Sequence, residues 1–265
     1  MTAPAPLRVV ILTCMRREIA SRCLPALVGH PAIDLRMVIL AHGGSPNRSK
    51  SVRRKIAKVA RIGPLGALNG VRMRAWYHDA DAEDIAELCT RHGVSFAETD
   101  WINCDRTRDL FRASEADLGL SLGNGYIATS VFSIPRFGMI NIHTELLPEY
   151  QGAQSVLWPI YHGRRETGFT IHQVAKEIDA GEILHQERYP IEFQATLEAT
   201  VRRMMAVSRE RVPKAFAFVC EHLEELRAKA RPQGPGERYT TPSYWQFRRM
   251  LRNHERLAHG RDGGA

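Results

Sequence analysis

The sequence predicts an α/β fold built on a Rossmann-like, doubly wound and mostly parallel sheet, with a short C-terminal appendage. Three observations predict it. Short runs rich in Val, Ile and Leu alternate with stretches of helical periodicity over the first half of the chain, the pattern of βαβ units. The chain has 265 residues, enough for one well-buried domain and a small addition. Its apolar fraction of 44% sits at the globular norm, which argues against a disordered or fibrous chain.

Leu7-Arg8-Val9-Val10-Ile11-Leu12-Thr13 reads as the first strand, followed by a helix from about Arg17 to Val28. Asp34 to Ala41 reads as the second strand. A basic helix from about Asn47 to Arg61 places Val52, Ile56 and Val59 on one face, and Gly63-Pro64-Leu65-Gly66 breaks it. Asp81 to His92 reads as a helix with Ile85, Leu88 and Cys89 inward. Short strands follow near Val94 to Phe96, Leu118 to Leu122 and Met139 to Ile142. Two further β segments, Thr167 to Val174 and Glu182 to Ile191, flank the turn Asp179-Ala180-Gly181. A long helix from about Ala195 to Lys229 contains Pro213, which is expected to kink or divide it. Beyond it, Pro232, Gly234, Pro235 and Gly236 read as a linker. Tyr244, Trp245, Phe247, Met250 and Leu251 read as a short amphipathic helix, and the last few residues as a disordered end. The chain thus divides into a main domain over 1–230 and a basic tail over 231–265. The tail's apolar residues suit packing on the body or on a second copy, as in a homodimer.

Several classes of function are disfavoured. No apolar run approaches the length of a bilayer span, and the N-terminus lacks the pattern of a secretory signal. Five cysteines with no CxxC pair suit neither a disulfide framework nor a zinc knuckle, so a reducing, cytoplasmic setting is expected. The turn after the first strand, Thr13-Cys14-Met15-Arg16-Arg17, holds no glycine, which argues against a dinucleotide site. Gly123-Asn124-Gly125 leaves the backbone open to a ligand, but a plain tight turn explains it as well. The net charge of +8 is unevenly placed. Nine basic residues and no acid lie between Gly43 and His78, and nine basic against three acidic residues run from Leu226 to the end. Such asymmetry suits an anionic partner or solvated helix faces equally. Nucleic acid is disfavoured, because no aromatic residue lies between Arg48 and Arg74 and no RNA-reading motif accompanies the charge.

The informative stretch is Met139-Ile140-Asn141-Ile142-His143-Thr144-Glu145-Leu146-Leu147-Pro148-Glu149-Tyr150-Gln151-Gly152. Strand alternation puts Asn141 and His143 on one face, and a strand ending there places both at the carboxyl edge, where open α/β sheets bind ligands. An amide beside an imidazole can stabilise an oxyanion and pass a proton, though a purely structural pair would look the same.

This stretch resembles the signature of the folate-dependent formyltransferases: Asn-x-His, then Leu-Leu-Pro and a glycine. Downstream, Gly168-Phe169-Thr170-Ile171-His172 and Ile178-Asp179-Ala180-Gly181-Glu182-Ile183-Leu184 resemble that family's next two blocks, in order and at matching spacing. The resemblance is strong from about Leu118 to Ile191. It implies that residues 1–230 are a catalytic domain and that the formyl donor is N10-formyltetrahydrofolate. Asn141 and His143 would then stabilise the negative oxygen of a tetrahedral centre. Asp179 would hold the histidine and assist the proton of the attacking amine, with His172 supporting. The resemblance places the folate against Asn124, Gly125, Tyr126 and Ile127, and against Glu177, Ile178 and Asp179. No metal is implied, and the spacings of His143, His162, His172 and His185 fit no zinc pattern.

Departures from the family narrow the acceptor. Glycinamide ribonucleotide enzymes use a Gly-Ser-Asn-type turn where this chain has Met15, Arg16 and Arg17. Methionyl-tRNA enzymes carry a further barrel for which the 36 residues after Lys229 are too few, and the formyl-folate hydrolases carry a domain before the first strand. Trp158 and Thr167-Gly168-Phe169-Thr170 resemble the compact branch acting on amino sugars of nucleotide-linked sugars or on secondary-metabolite precursors. Thr144 and Glu145 blur that assignment. A diphosphate would suit the Arg48 to Arg61 region, or Arg16 and Arg17. A non-catalytic folate or nucleotide-sugar binding protein is the alternative, against which the intact Asn141, His143 and Asp179 count.

Overall fold

The computed structural model describes residues 5–43, 48–152 and 154–260. β1 (Leu7–Thr13) is followed by α1 (Ile19–Val28), β2 (Ile33–Ala41), α2 (Arg48–Tyr77), α3 (Ile85–His92), β3 (Ser95–Thr99), α4 (Asp105–Ala113) and β4 (Leu118–Ser121). Then come α5 (Thr129–Phe132), β5 (Met139–His143), the two-residue β6 (Gln151–Gly152), α6 (Leu157–Tyr161), β7 (Glu166–Gln173) and β8 (Ile183–Pro190). The chain closes with α7 (Leu197–Glu221), α8 (Leu223–Lys229), the two-residue β9 (Arg238–Tyr239) and α9 (Tyr244–Ala258). The seven-stranded main sheet runs β3-β2-β1-β4-β5-β7-β8. Pairs from β3 through β5 are parallel, and β7 and β8 add two antiparallel pairings. The doubly wound, mostly parallel sheet is thus the one expected.

Alternation along β1 explains the two-sided burial. Val9 and Ile11 point into a core with Leu24 and Leu27 of α1, Leu88 of α3 and Phe216 of α7. Val10 and Leu12 point into a second core with Phe111 of α4 and Val131 of α5. A strand buried on both faces reads as a continuous apolar run, which is why Leu7 to Thr13 is legible. The strand order reverses between β1 and β4, so the crevice beyond their carboxyl ends is the place for a ligand. α3 starts on Asp84, whose side chain accepts from the Ala86 N–H at 2.9 Å, and stops at Gly93 in the left-handed region.

Two helices differ from expectation. The break at Gly63 is present (φ 73°, ψ 166°), but the chain then resumes as helix to Tyr77. Gly70 permits this second half to close on the residues before α9, because a Cβ there would lie 2.7 Å from Thr241 Cγ2. In the first half, Ile56 and Val59 are 64% and 44% exposed, so their apolar face meets solvent. Helix α2 contacts α7 and α9, and the sheet face nearby is already covered by α1, α3 and α7. Asn47 and the side chains of Val52 and Arg54 lie outside the described residues, as do 261–265. In α7, Pro213 neither ends nor divides the helix, and the division comes at His222. Val212, Pro213, Ala215 and Phe216 are buried together, and that packing outweighs one lost backbone bond. No helix of the described residues is long and apolar enough to cross a membrane.

An ion cluster ties three of these helices. Asp79, just after α2 and 3% exposed, accepts two bonds of 2.8 Å from Arg22 of α1, and Arg209 of α7 lies 3.4 Å away. The Arg22 hydrogen bonds hold the Asp79 carboxyl below its ordinary value. Asp79→Ala is expected to lower the unfolding free energy in urea by about 3 kcal/mol at neutral pH, because both arginines keep some contact with water. A depressed carboxyl contributes its stability above the unfolded pKa of about 4 and loses it as pH falls further. The gap between wild type and variant should therefore close in acid; a gap unchanged from pH 7 to 3 would contradict this.

Candidate active site

β5 ends at the switch-point crevice, with Asn141 and His143 on one face of the strand. Its antiparallel partner β7 sets Asn141 directly opposite His172, and His143 opposite Thr170. The Asn141 amide Nδ2 donates to His172 Nε2 at 3.3 Å. His172 Nδ1–H in turn donates to the Gln173 carbonyl at 2.8 Å. That carbonyl can only accept, so Nδ1 carries the proton and Nε2 is left as an acceptor. Burial pushes the His172 imidazole below its ordinary value, which favours this neutral form. One N–H of Asn141 is thereby engaged and the other is left to the cavity.

His143 is held with the opposite tautomer. Its Nε2–H donates to the Tyr150 carbonyl at 2.6 Å, which turns Nδ1 toward Asp179, 3.7 Å from Oδ2. Asp179 has φ 57° and is anchored by the Gly152 N–H, which donates to Oδ2 at 3.0 Å. Its Oδ1 lies 3.8 Å from His172 Nε2. The loop carrying it closes on Gly181, where a Cβ would sit 1.8 Å from the Gln173 carbonyl oxygen. Asn141, His143, His172 and Asp179 therefore converge, although they come from two blocks spread over 39 residues of sequence. Asn141 can donate to an oxygen, while His143 Nδ1 and the Asp179 carboxylate offer paired acceptors for an N–H.

All four line a cavity of about 480 Å³, as do Asn124, Gly125, Tyr126 and Ile127 after β4, and Glu177 and Ile178 after β7. The cavity size is that of small-molecule sites. Tyr126 and Ile178 are 53% and 51% exposed, so neither is core packing, and together they give the cavity an apolar rim. Asn124 donates to the Leu12 carbonyl at 2.6 Å and to Ser121 Oγ at 3.1 Å, leaving its buried Oδ1 without a partner. Arg16 and Arg17 do not line it, and both pair with Asp84, at 3.2 and 3.8 Å. Among the described residues no group of three His, Cys, Asp or Glu side chains is placed to hold a metal.

Five contributing residues are not legible in the sequence. Asn103 fixes the Tyr126 loop, donating to the Tyr126 carbonyl at 3.1 Å and accepting from the Ala128 N–H at 2.7 Å. Glu145 is buried and accepts from the Val156 N–H at 2.5 Å and from Thr167 Oγ1 at 2.7 Å, bracing the loop beyond Gly152. Burial pushes its carboxyl up to about 7. In the sequence it stands out only as a departure, with Thr144, from the family pattern after His143. Arg238, Tyr239 and Thr240, from the segment read as a linker and tail, also line the cavity.

Residues 107–216 match the family model described as formyl transferase. The chain is 30% identical to the methionyl-tRNA formyltransferase of Thermotoga maritima over 144 residues, 54% of this chain and 44% of that one. It is 35% identical to the methionyl-tRNA formyltransferase of Porphyromonas gingivalis over 112 residues, 42% of this chain and 35% of that one. The chain thus spans less than half the length of these curated relatives. Among solved structures, the phosphoribosylglycinamide formyltransferase of Anaplasma phagocytophilum covers 82% of this chain and 88% of its own at TM-score 0.55 and 19% identity. A sugar 3N-formyl transferase covers 95% of this chain and 80% of its own at TM-score 0.55 and 13% identity. These two likenesses carry the fold alone. The family match spans both the Asn141–His143 strand and the Asp179 loop, so residues 107–216, which carry the site, are similar to the formyl transferase family.

Proposed function

We propose that this chain is an N-formyltransferase that moves the formyl group of N10-formyltetrahydrofolate onto an amine, the amino group of a nucleotide-linked sugar. The observation that carries this reading is the convergence of Asn141, His143 and Asp179 in one cavity with an apolar rim. The residues present suit the donor. Tyr126 and Ile178 offer apolar surface to a flat ring, and the loop at Gly125 leaves the backbone open to its edge. Asn124, with its unfilled acceptor, and Ile127 and Glu177 complete that wall. Bound there, the folate would supply an activated one-carbon unit.

The chain's own residues do the rest. Asn141, held by neutral His172, directs its free N–H at the formyl oxygen as negative charge develops on it. His143 Nδ1, facing Asp179, takes the proton that the attacking nitrogen loses as the new C–N bond forms, and a proton is returned to the donor's N10 as the formyl C–N10 bond breaks. Asp179 compensates the imidazolium charge and is itself held in place by the Gly152 N–H. Burial of both side chains keeps water's screening low.

For the acceptor, the sugar 3N-formyl transferase of the same fold was crystallised in the presence of dTDP and 5-N-formyl-THF, which supports testing nucleotide-linked amines first. A second reading, methionyl-tRNA, is favoured by the partial similarity to methionyl-tRNA formyltransferases and by the basic α2. A cytoplasmic setting fits either substrate.

Turnover of N10-formyltetrahydrofolate with amino-sugar nucleotides, glycinamide ribonucleotide and methionyl-tRNA distinguishes these. One of them is expected to be formylated, and Asn141→Ala and His143→Ala should each lower kcat by about 10² to 10³. Asp179→Asn should lower kcat with little change in donor affinity. Full turnover in Asn141→Ala and His143→Ala would remove this cluster from the chemistry.

A further inference from the structure

The segment between α8 and α9 does not hang free. It crosses the cavity mouth as a strap, pinned at each step. Gln233 Nε2 donates to the Gly181 carbonyl at 2.5 Å, beside the Asp179 turn. Gly236 packs on Pro148, where a Cβ would meet the carbonyl oxygen at 2.3 Å. The Gln151 N–H donates to the Glu237 carbonyl at 3.0 Å, and β9 pairs in parallel with β6, Gln151 with Arg238 and Gly152 with Tyr239. Gly152 has φ 102°, and a Cβ there would lie 2.1 Å from the Tyr239 carbonyl oxygen, so only glycine seats the strap.

Tyr239 is the anchor. Its ring lies 4.6 Å from that of Trp158 and 5.6 Å from that of Tyr150, and its hydroxyl bonds Glu237 at 2.6 Å and His162 at 3.0 Å. Arg61 of α2 donates to Thr240 Oγ1 at 2.8 Å, fixing the far end. Between these fastenings Arg238 is exposed to the cavity.

Among the described residues lining the cavity Arg238 is the sole Lys or Arg, while Glu177 and Asp179 are the carboxylates. Its one hydrogen bond is a long contact of 3.5 Å to the Ile178 carbonyl, and no carboxylate among the described residues pairs with it. The guanidinium therefore keeps most of its fork of donors open, on a backbone that cannot swing away. Such a group binds an oxyanion in a two-toothed grip that a lysine reproduces poorly.

We propose that Arg238 is the anion anchor of this pocket, fixing an oxyanion group of a bound reactant. The anion is either the phosphate of the acceptor or a glutamyl carboxylate of the folate donor. This rests on the formyltransferase reading. The strap then acts as a substrate-binding wall contributed from outside the family-matched residues 107–216.

Calorimetric titration of the full chain with 5-formyltetrahydrofolate and, separately, with dTDP tests it. Arg238→Ala should weaken one probe about tenfold and leave the other within about twofold, with partial recovery in Arg238→Lys. The affinity lost should be salt-dependent in wild type, which a structural role would not produce. Weakened dTDP assigns the acceptor phosphate, and weakened 5-formyltetrahydrofolate assigns the donor carboxylate. Wild-type affinity for both probes in Arg238→Ala overturns the proposal, as does loss of both together with a lowered melting midpoint. Failure of wild type to bind 5-formyltetrahydrofolate at all is a separate result, and it removes the formyltransferase reading itself.

Discussion

The antiparallel pairing of β5 with β7 is the constraint on which the site depends. It sets Asn141 against His172 in register and returns the chain so that the loop after β7 reaches His143. Because side chains alternate, a slip of one residue would turn Asn141 and His143 away together. Register is in turn held by polar bonds behind the strand. Thr170 Oγ1 donates to the Glu145 carbonyl at 2.8 Å and accepts from the Leu147 N–H at 3.1 Å. The antiparallel end of an otherwise parallel sheet thus carries polar side chains of the site as well as core residues such as Phe169 and Ile171.

Gly152 joins this arrangement to the rest of the chain. Its N–H holds Asp179, and its missing side chain admits the strap that bears Arg238 and Tyr239. One position therefore serves both an acid at the centre of the cavity and a cation at its mouth. The strap is seated by aromatic packing and main-chain bonds, so its place does not depend on any bound molecule.

How far the sequence is legible follows from how local each signal is. β1 is plain because burial on two faces leaves a continuous apolar run, and Asn141 with His143 is plain because alternation is a property of one strand. Asp179 needs the family resemblance, since a turn aspartate before Gly181 has an ordinary local explanation. The strap is not legible. Gly236 and Tyr239 look like linker residues until they meet Pro148 and Gly152, far away in sequence. Pro213 is a related case: a local rule allows a kink or a division, and with its neighbours buried the helix is not divided there. Glu145 is hidden too, because its partners Val156 and Thr167 are brought together only by the fold.

The two histidines offer the most direct test of the site's preorganisation. Imidazole ¹⁵N spectra of the free protein, assigned with His143→Ala and His172→Ala, report which ring nitrogen carries the proton. The neutral forms should be opposite, with the proton on Nε2 in His143, facing the Tyr150 carbonyl, and on Nδ1 in His172, facing that of Gln173. The same tautomer in both would mean that Asn141 and Asp179 are not oriented as described, and the catalytic assignment would fall with them.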